Sequence, residues 1–205
     1  MKKLLLTLLV LLVGCVSLPT PHDTVKSVVK VVIYANKDNM VLSTGTGAVV
    51  NDHCIVSATH VFHGEDAHAE FSTNNGKTFP VTYGLGDDST DIAVACTDKH
   101  IGVPWVTFAT HDPDQWSPVY TIGFPLGENW VKTEGEWQDK TVVTVLTAPG
   151  NSGGPVFTAD GVYIGFVDSI DIYQNMAFTH MTNIVKYADI KAMLTALKQP
   201  YKEQK

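Results

Sequence analysis

The chain has 205 residues, 44% of them hydrophobic, enough for one large domain or two small ones sharing a core and too few for a second long module. Fourteen basic residues, none of them arginine, face 21 acidic ones, for a net charge of −7. Phosphate backbones need clustered Lys and Arg, so nucleic acid is not expected as a partner, and the acidic surface offers no attraction to anionic lipid.

The first fifteen residues differ from the rest. Met1-Lys2-Lys3 is a positive start, Leu4 to Val13 is an apolar run broken only by Thr7, and Gly14-Cys15 follows at once. This run is too short to span a bilayer. The segment resembles a bacterial lipoprotein signal with Leu12-Val13-Gly14-Cys15 as its lipobox. That resemblance implies a signal peptide over 1–14, cleavage before Cys15, and acylation of the Cys15 thiol and amino group. The alternative is an ordinary secretory signal in which Cys15 is incidental. Val16 stands where an aspartate would act as an inner-membrane retention signal. The family rule therefore places the protein in the cell envelope, on the outer membrane facing the periplasm, held by acyl chains. Residues 15–24, with two prolines, read as a short stiff tether.

After the tether the pattern turns to strands. "SVVKVVIYA", "TGTGAVV", "CIVSA", "AEFS", "TFPVTYG" and "DIAVACT" are short runs rich in Val, Ile, Thr and aromatics, separated by turns such as Asn51-Asp52 and Asn74-Asn75-Gly76. "WVTFA", "PVYTIGF", "TVVTVLT", "PVFT" and "GVYIGFVDSI" continue it. Regularly spaced short strands predict an all-β sandwich or barrel. One helix is predicted over 182–198, where Ile184, Tyr187, Ile190, Leu194 and Leu197 recur at spacings of three or four behind Thr182 or Asn183 as a cap.

"TAPGNSGGPVF", Thr147 to Phe157, surrounds Ser152 with glycines. Gly150-Asn151-Ser152-Gly153-Gly154 fits G-x-S-x-G, so the turn is read either as the nucleophile elbow of an α/β-hydrolase or as a protease active-site loop. The elbow needs a following helix and an acid and histidine downstream; Pro155-Val156-Phe157 reads as strand, and Asp168 or Asp171 with His180 would have to serve in a short remainder. Upstream, "IVSATHVF" places His60 at the end of an apolar strand behind small residues, and "STDIAVAC" places Asp91 at the start of another. A serine hydroxyl needs such a base, and the base needs an orienting group. His63, Asp87 and Asp88 compete for these roles but sit in polar turns.

The order His, Asp, Ser with G-N-S-G-G-P resembles the chymotrypsin-like (trypsin-like) serine proteases, the bacterial trypsin-like peptidases in particular, over essentially the whole mature chain. The resemblance implies two antiparallel β-barrels, over 25–105 and, after a linker, within 106–181, closed by the C-terminal helix. It implies Ser152 as nucleophile, His60 as general base, Asp91 as its orienting carboxylate, and the amides of Gly150 and Ser152 as oxyanion hole, acting on a protein or peptide substrate without a cofactor. The alternative is a catalytically silent, envelope-anchored binding protein on the same fold. Asn151 stands where zymogen-activated relatives carry an aspartate, so assembly without activation cleavage is expected. Position in the family pattern makes Leu146, Thr147, Val167 and Asp168 the substrate-pocket candidates: Asp168 would favour basic side chains, Leu146 small apolar ones, and Asp168 as a solvated structural residue is the third reading. Cys54 and Cys96 would face each other if their strands are neighbours as in the family, and are otherwise two buried thiols. His53, His60, His63 and His68 cluster in sequence, but without a cysteine pair or H-E-x-x-H no metal site is expected.

Overall fold

The computed structural model describes residues 21–173 and 176–204; the signal segment, Cys15 and most of the tether lie outside the described residues. Pro21–Thr24 forms one helical turn, α1, followed by a 3-10 turn over Val25–Ser27. The first sheet contains β1 (Val28–Ala35), β2 (Val41–Val49), β3 (Cys54–Ala58), β4 (Ala67–Thr73), β5 (Thr78–Pro80), β6 (Tyr83–Asp87) and β7 (Ile92–Cys96), in the antiparallel order β5-β4-β1-β2-β3-β7-β6. The second contains β8 (Thr107–Phe108), β9 (Pro118–Gly123), β10 (Val131–Asp139), β11 (Val142–Val143), β12 (Pro155–Thr158), β13 (Tyr163–Tyr173), β14 (Met176–Lys186) and β15 (Lys202–Glu203). Its order is β12-β9-β10-β11-β14-β13-β8-β15, and an additional β12–β13 ladder closes six of these strands into a barrel. The fold is therefore all-β, one closed and one half-closed barrel, with a C-terminal helix.

β-branched residues drive these strands because their stiff side chains pack on a pleated, half-buried surface. On β1, Val28, Val29, Val31 and Ile33 are buried, while on β3 and β7 every residue is. β3 and β7 are inner strands with no solvent face, so they read as continuous apolar runs. Cys54 pairs with Cys96 across them, and the two are joined by a disulfide.

The helix is shorter than the periodicity predicts. α2 runs Tyr187–Ala196 and buries Tyr187, Ile190 and Leu194. Thr182 to Lys186 instead end β14, where Ile184 opposes Val167 and its N–H donates to the Thr141 carbonyl. Strand pairing overrides the helical spacing of Ile184, because Thr182 is fully buried between Val145 and Thr147.

Candidate active site

His60 lies on a 3-10 turn, Thr59–Phe62, directly after β3, and Asp91 is the residue before β7. Because Ala58 opposes Ile92 in the β3–β7 ladder, the ends of the two strands bring His60 and Asp91 together. Asp91 adopts φ +53°, a left-handed conformation that aspartate tolerates better than most side chains. One Asp91 carboxylate oxygen accepts the His60 backbone N–H at 3.0 Å, and the other faces His60 Nδ1 at 2.8 Å. The Asp91 carbonyl accepts the Thr59 N–H at 3.1 Å. Three bonds thus tie the Thr59-His60 segment to Asp91, one of them at the imidazole. The competing groups are committed elsewhere: Asp87 accepts the Ser89 N–H and hydroxyl, which hold its carboxyl below the ordinary value, and Asp88 pairs with His63 Nε2 at 3.1 Å. His53 faces the Lys99 carbonyl and His68 faces Asn36, so the four sequence-neighbouring histidines do not converge.

The Ser152 loop is stitched to the first barrel through Thr46 of β2. The Thr46 N–H donates to the Ser152 carbonyl at 2.9 Å, and its hydroxyl donates to the Gly150 carbonyl at 2.7 Å. The same hydroxyl accepts the Phe124 N–H, and the Thr46 carbonyl accepts the Ser57 hydroxyl at 2.6 Å. Gly150 has φ +100° and Gly153 φ +78°, and a Cβ on Gly153 would stand 2.9 Å from the Ala58 nitrogen. The turn therefore presses against Ser57-Ala58, the small residues leading into the turn that carries His60. Thr46 and Ser57 are the residues sequence reasoning missed; the sole signal was the small-residue character of "TGTG" and "SAT".

Within the loop the N–H groups of Asn151, Gly153 and Gly154 donate to the carbonyls of Ala148, Val167 and Asn151. Among the described residues the N–H groups of Gly150 and Ser152 have no protein acceptor, which leaves them available to an incoming oxygen. Asn151 is 2% exposed, so an aspartate there would be a buried charge.

Beside Ser152 opens a cavity of about 330 Å³ walled by Ala148, Pro149, Val167 and Ile170, with Thr147, Asp168 and Ser169. Leu146 is not among its lining residues and is 43% exposed, contrary to its expected place at the pocket floor. Thr133 holds the Leu146 carbonyl at 2.8 Å, and the next residue, Thr147, is drawn inward by a 2.8 Å hydroxyl bond to Thr182, turning Leu146 to the surface. Asp168 is half-buried and lies against the dyad: nitrogen or oxygen atoms of His60, Asp91 and Asp168 all fall within 4.8 Å of one another. Burial, and then the hydrogen bond to Asp91, hold the Asp168 carboxyl above its ordinary pKa, against a smaller opposite pull from the Ser169 hydroxyl and from His60.

The chain matches the family model described as trypsin-like peptidase domain over residues 45–166. It is 31% identical over 144 residues to a probable periplasmic serine endoprotease, DegP-like, of Halomonas elongata, covering 62% of this chain and 30% of that protein. A protein of the same description from Chlamydia pneumoniae is 29% identical over 138 residues, covering 59% of this chain and 28% of the relative. The chain thus spans under a third of the length of these curated relatives. Among solved structures, the serine endoprotease from Yersinia pestis superposes with a TM-score of 0.74 at 19% identity, covering 86% of this chain and 64% of that one. The active form of the Rv3671c protease from M. tuberculosis gives 0.77 at 20% identity, covering 90% and 86%. With the family model spanning more than half of its length, the chain belongs to the trypsin-like peptidase domain family.

Proposed function

We propose that the protein is a serine endopeptidase that hydrolyses peptide bonds through an acyl-enzyme on Ser152. The observation that carries this reading is the Asp91–His60 pair, joined at both the backbone and the ring, with the Ser152 loop tied by Thr46 and packed on the strand that delivers His60. Nδ1 is spent on Asp91, so Nε2 is the nitrogen that takes the Ser152 proton as Oγ attacks the scissile carbonyl. The carbonyl electron pair moves onto oxygen, where the Gly150 and Ser152 amides receive it. His60 then protonates the leaving amine, and water, deprotonated by His60, releases the acid and regenerates Ser152. The apolar walls beside Ser152 favour an uncharged substrate side chain before the cut.

We propose further, on the resemblance of residues 1–15 to a lipoprotein signal, that an acylated Cys15 anchors the enzyme to the outer membrane, facing the periplasm. Both curated relatives are described as periplasmic, and among the described residues no helix is long and apolar enough to cross a membrane. Labelling by a fluorophosphonate probe tests the catalytic reading. The wild-type protein should label stoichiometrically, and Ser152→Ala and His60→Ala should not. A folded wild type that resists the probe refutes the reading and leaves a binding module.

A further inference from the structure

β13 carries an irregularity at the site. Val167 opposes Ile184 and Ser169 opposes Asn183, so two steps on β13 match one step on β14, and Asp168 is the extra residue of a β-bulge. A bulge re-aims a side chain that regular alternation would point elsewhere. Here it places a second carboxylate beside the dyad instead of leaving it in the strand's alternation.

We infer that Asp168 is a positioning residue of the catalytic dyad, a second carboxyl that shares Asp91 and sets the pH range in which His60 works as a base. This inference rests on the endopeptidase reading of Ser152. The titratable groups facing Asp168 are Asp91, from the residue before β7, and His60, from the turn after β3. Its own strand contributes the Ser169 hydroxyl, which donates to Asp168 Oδ2 at 3.1 Å, and the paired strand contributes Ile184 and Asn183 opposite the bulge, neither of them ionisable.

Two carboxyls with oxygens within 4.8 Å of each other do not both ionise freely. Burial and the neighbouring Asp91 raise the Asp168 pKa, so in acid Asp168 is a protonated partner able to donate toward Asp91. As pH rises, Asp168 loses that proton, and its negative charge then favours the imidazolium, the form His60 takes while it holds the Ser152 proton. Removing that charge should therefore extend the acid limb of activity to lower pH. Asp168→Asn keeps a donor toward Asp91 and removes the charge.

The test has two arms on the full chain. In a Ser152→Ala background, the His60 ring is titrated by NMR with and without Asp168→Asn, which needs no turnover. A unit charge within 4.8 Å predicts that the midpoint falls by on the order of 0.5–1 pH unit on loss of Asp168. Asp168→Ser, a smaller neutral replacement, should give the same direction and guards against a misfolded first variant. In the active protein, Asp168→Asn should shift the acid limb of kcat/KM downward for peptides with Ala and with Lys before the cut alike. An unmoved His60 midpoint in both neutral variants overturns the inference. So does an unmoved acid limb with a more than tenfold change in the Lys-to-Ala preference, which would make Asp168 a determinant of substrate choice and not of the His60 pH range. A protein that shows the midpoint shift yet neither cleaves peptide nor labels refutes the endopeptidase reading alone.

Discussion

Gly153 and Gly76 share nearly the same φ, +78° and +81°, but not the same surroundings. Substituting alanine at either position forces a side chain into the left-handed region, which costs about 1–2 kcal/mol. At Gly76, in the turn between β4 and β5, a Cβ meets nothing within 4 Å, so that is the whole cost. At Gly153 the Cβ would lie 2.0 Å from the Ser57 hydroxyl, 2.2 Å from the Thr46 carbonyl and 2.9 Å from the Ala58 nitrogen, two of them backbone atoms. Relief requires breaking the buried Ser57–Thr46 hydrogen bond, about 1–3 kcal/mol, and shifting two chain segments, about another 1–3 kcal/mol. Gly153→Ala should therefore lose roughly 2–6 kcal/mol more than Gly76→Ala, a gap on the order of 10 °C in Tm for a domain of this size. Thermal unfolding of the two variants in parallel reads this directly. Because Thr46 also holds the Gly150 and Ser152 carbonyls, kcat/KM should collapse in Gly153→Ala and persist in Gly76→Ala. Melting temperatures within 2 °C of one another would refute the claim that this loop is fitted against the first barrel.

Removing the disulfide by Cys54→Ala with Cys96→Ala opens a link across 42 positions and should cost up to about 4 kcal/mol, measured by urea unfolding. Thr46→Val leaves the buried Phe124 N–H without its acceptor and should cost about 2–3 kcal/mol, while slowing acylation in single-turnover kinetics. Ser152→Ala and His60→Ala should each lower kcat by several orders of magnitude, and the double variant by little more than either, as kinetics of all three will show. The raised Asp168 pKa has a definite sign: the folded state holds this proton more tightly than the unfolded chain, so the wild type loses stability as pH rises from the ordinary aspartate range through the raised value. Asp168→Asn should accordingly melt higher than the wild type at neutral pH, with the gap closing in acid, and a constant gap across pH would contradict the assigned cause.

Much of the site was legible because its chemistry forces rare local patterns. A histidine after an apolar strand of small residues, an aspartate opening another apolar strand and a serine among glycines are each uncommon, and strand ends are where such groups meet. Three other features needed tertiary information. The helix start was misplaced because Ile184 satisfies a helical stripe and a strand pair equally well, and only the burial of Thr182 against Thr147 decides for the strand. The family pattern points Leu146 to the pocket floor, whereas side-chain direction is set by Thr133 and Thr182, far away in sequence. Thr46 shows only the small-residue signal of "TGTG", because a threonine in a strand is ordinary and its four bonds to another barrel and to β3 are invisible until the barrels dock.

Asp168 combines both situations. A charged residue inside "FVDSI" is conspicuous, since an ionisable group in a barrel strand must find partners or lose its charge. Strict alternation cannot say which partners, because a bulge changes the face a residue points to without changing the letters around it. The register step between Val167 and Ser169 turns this carboxyl toward His60 and Asp91. A chain selected for stability alone would gain by an uncharged residue there, since the carboxyl is half-buried and beside another acid. Stability and the proposed chemistry therefore pull in opposite directions at this position, and the same substitution that should stabilise the fold should also displace the pH range of activity.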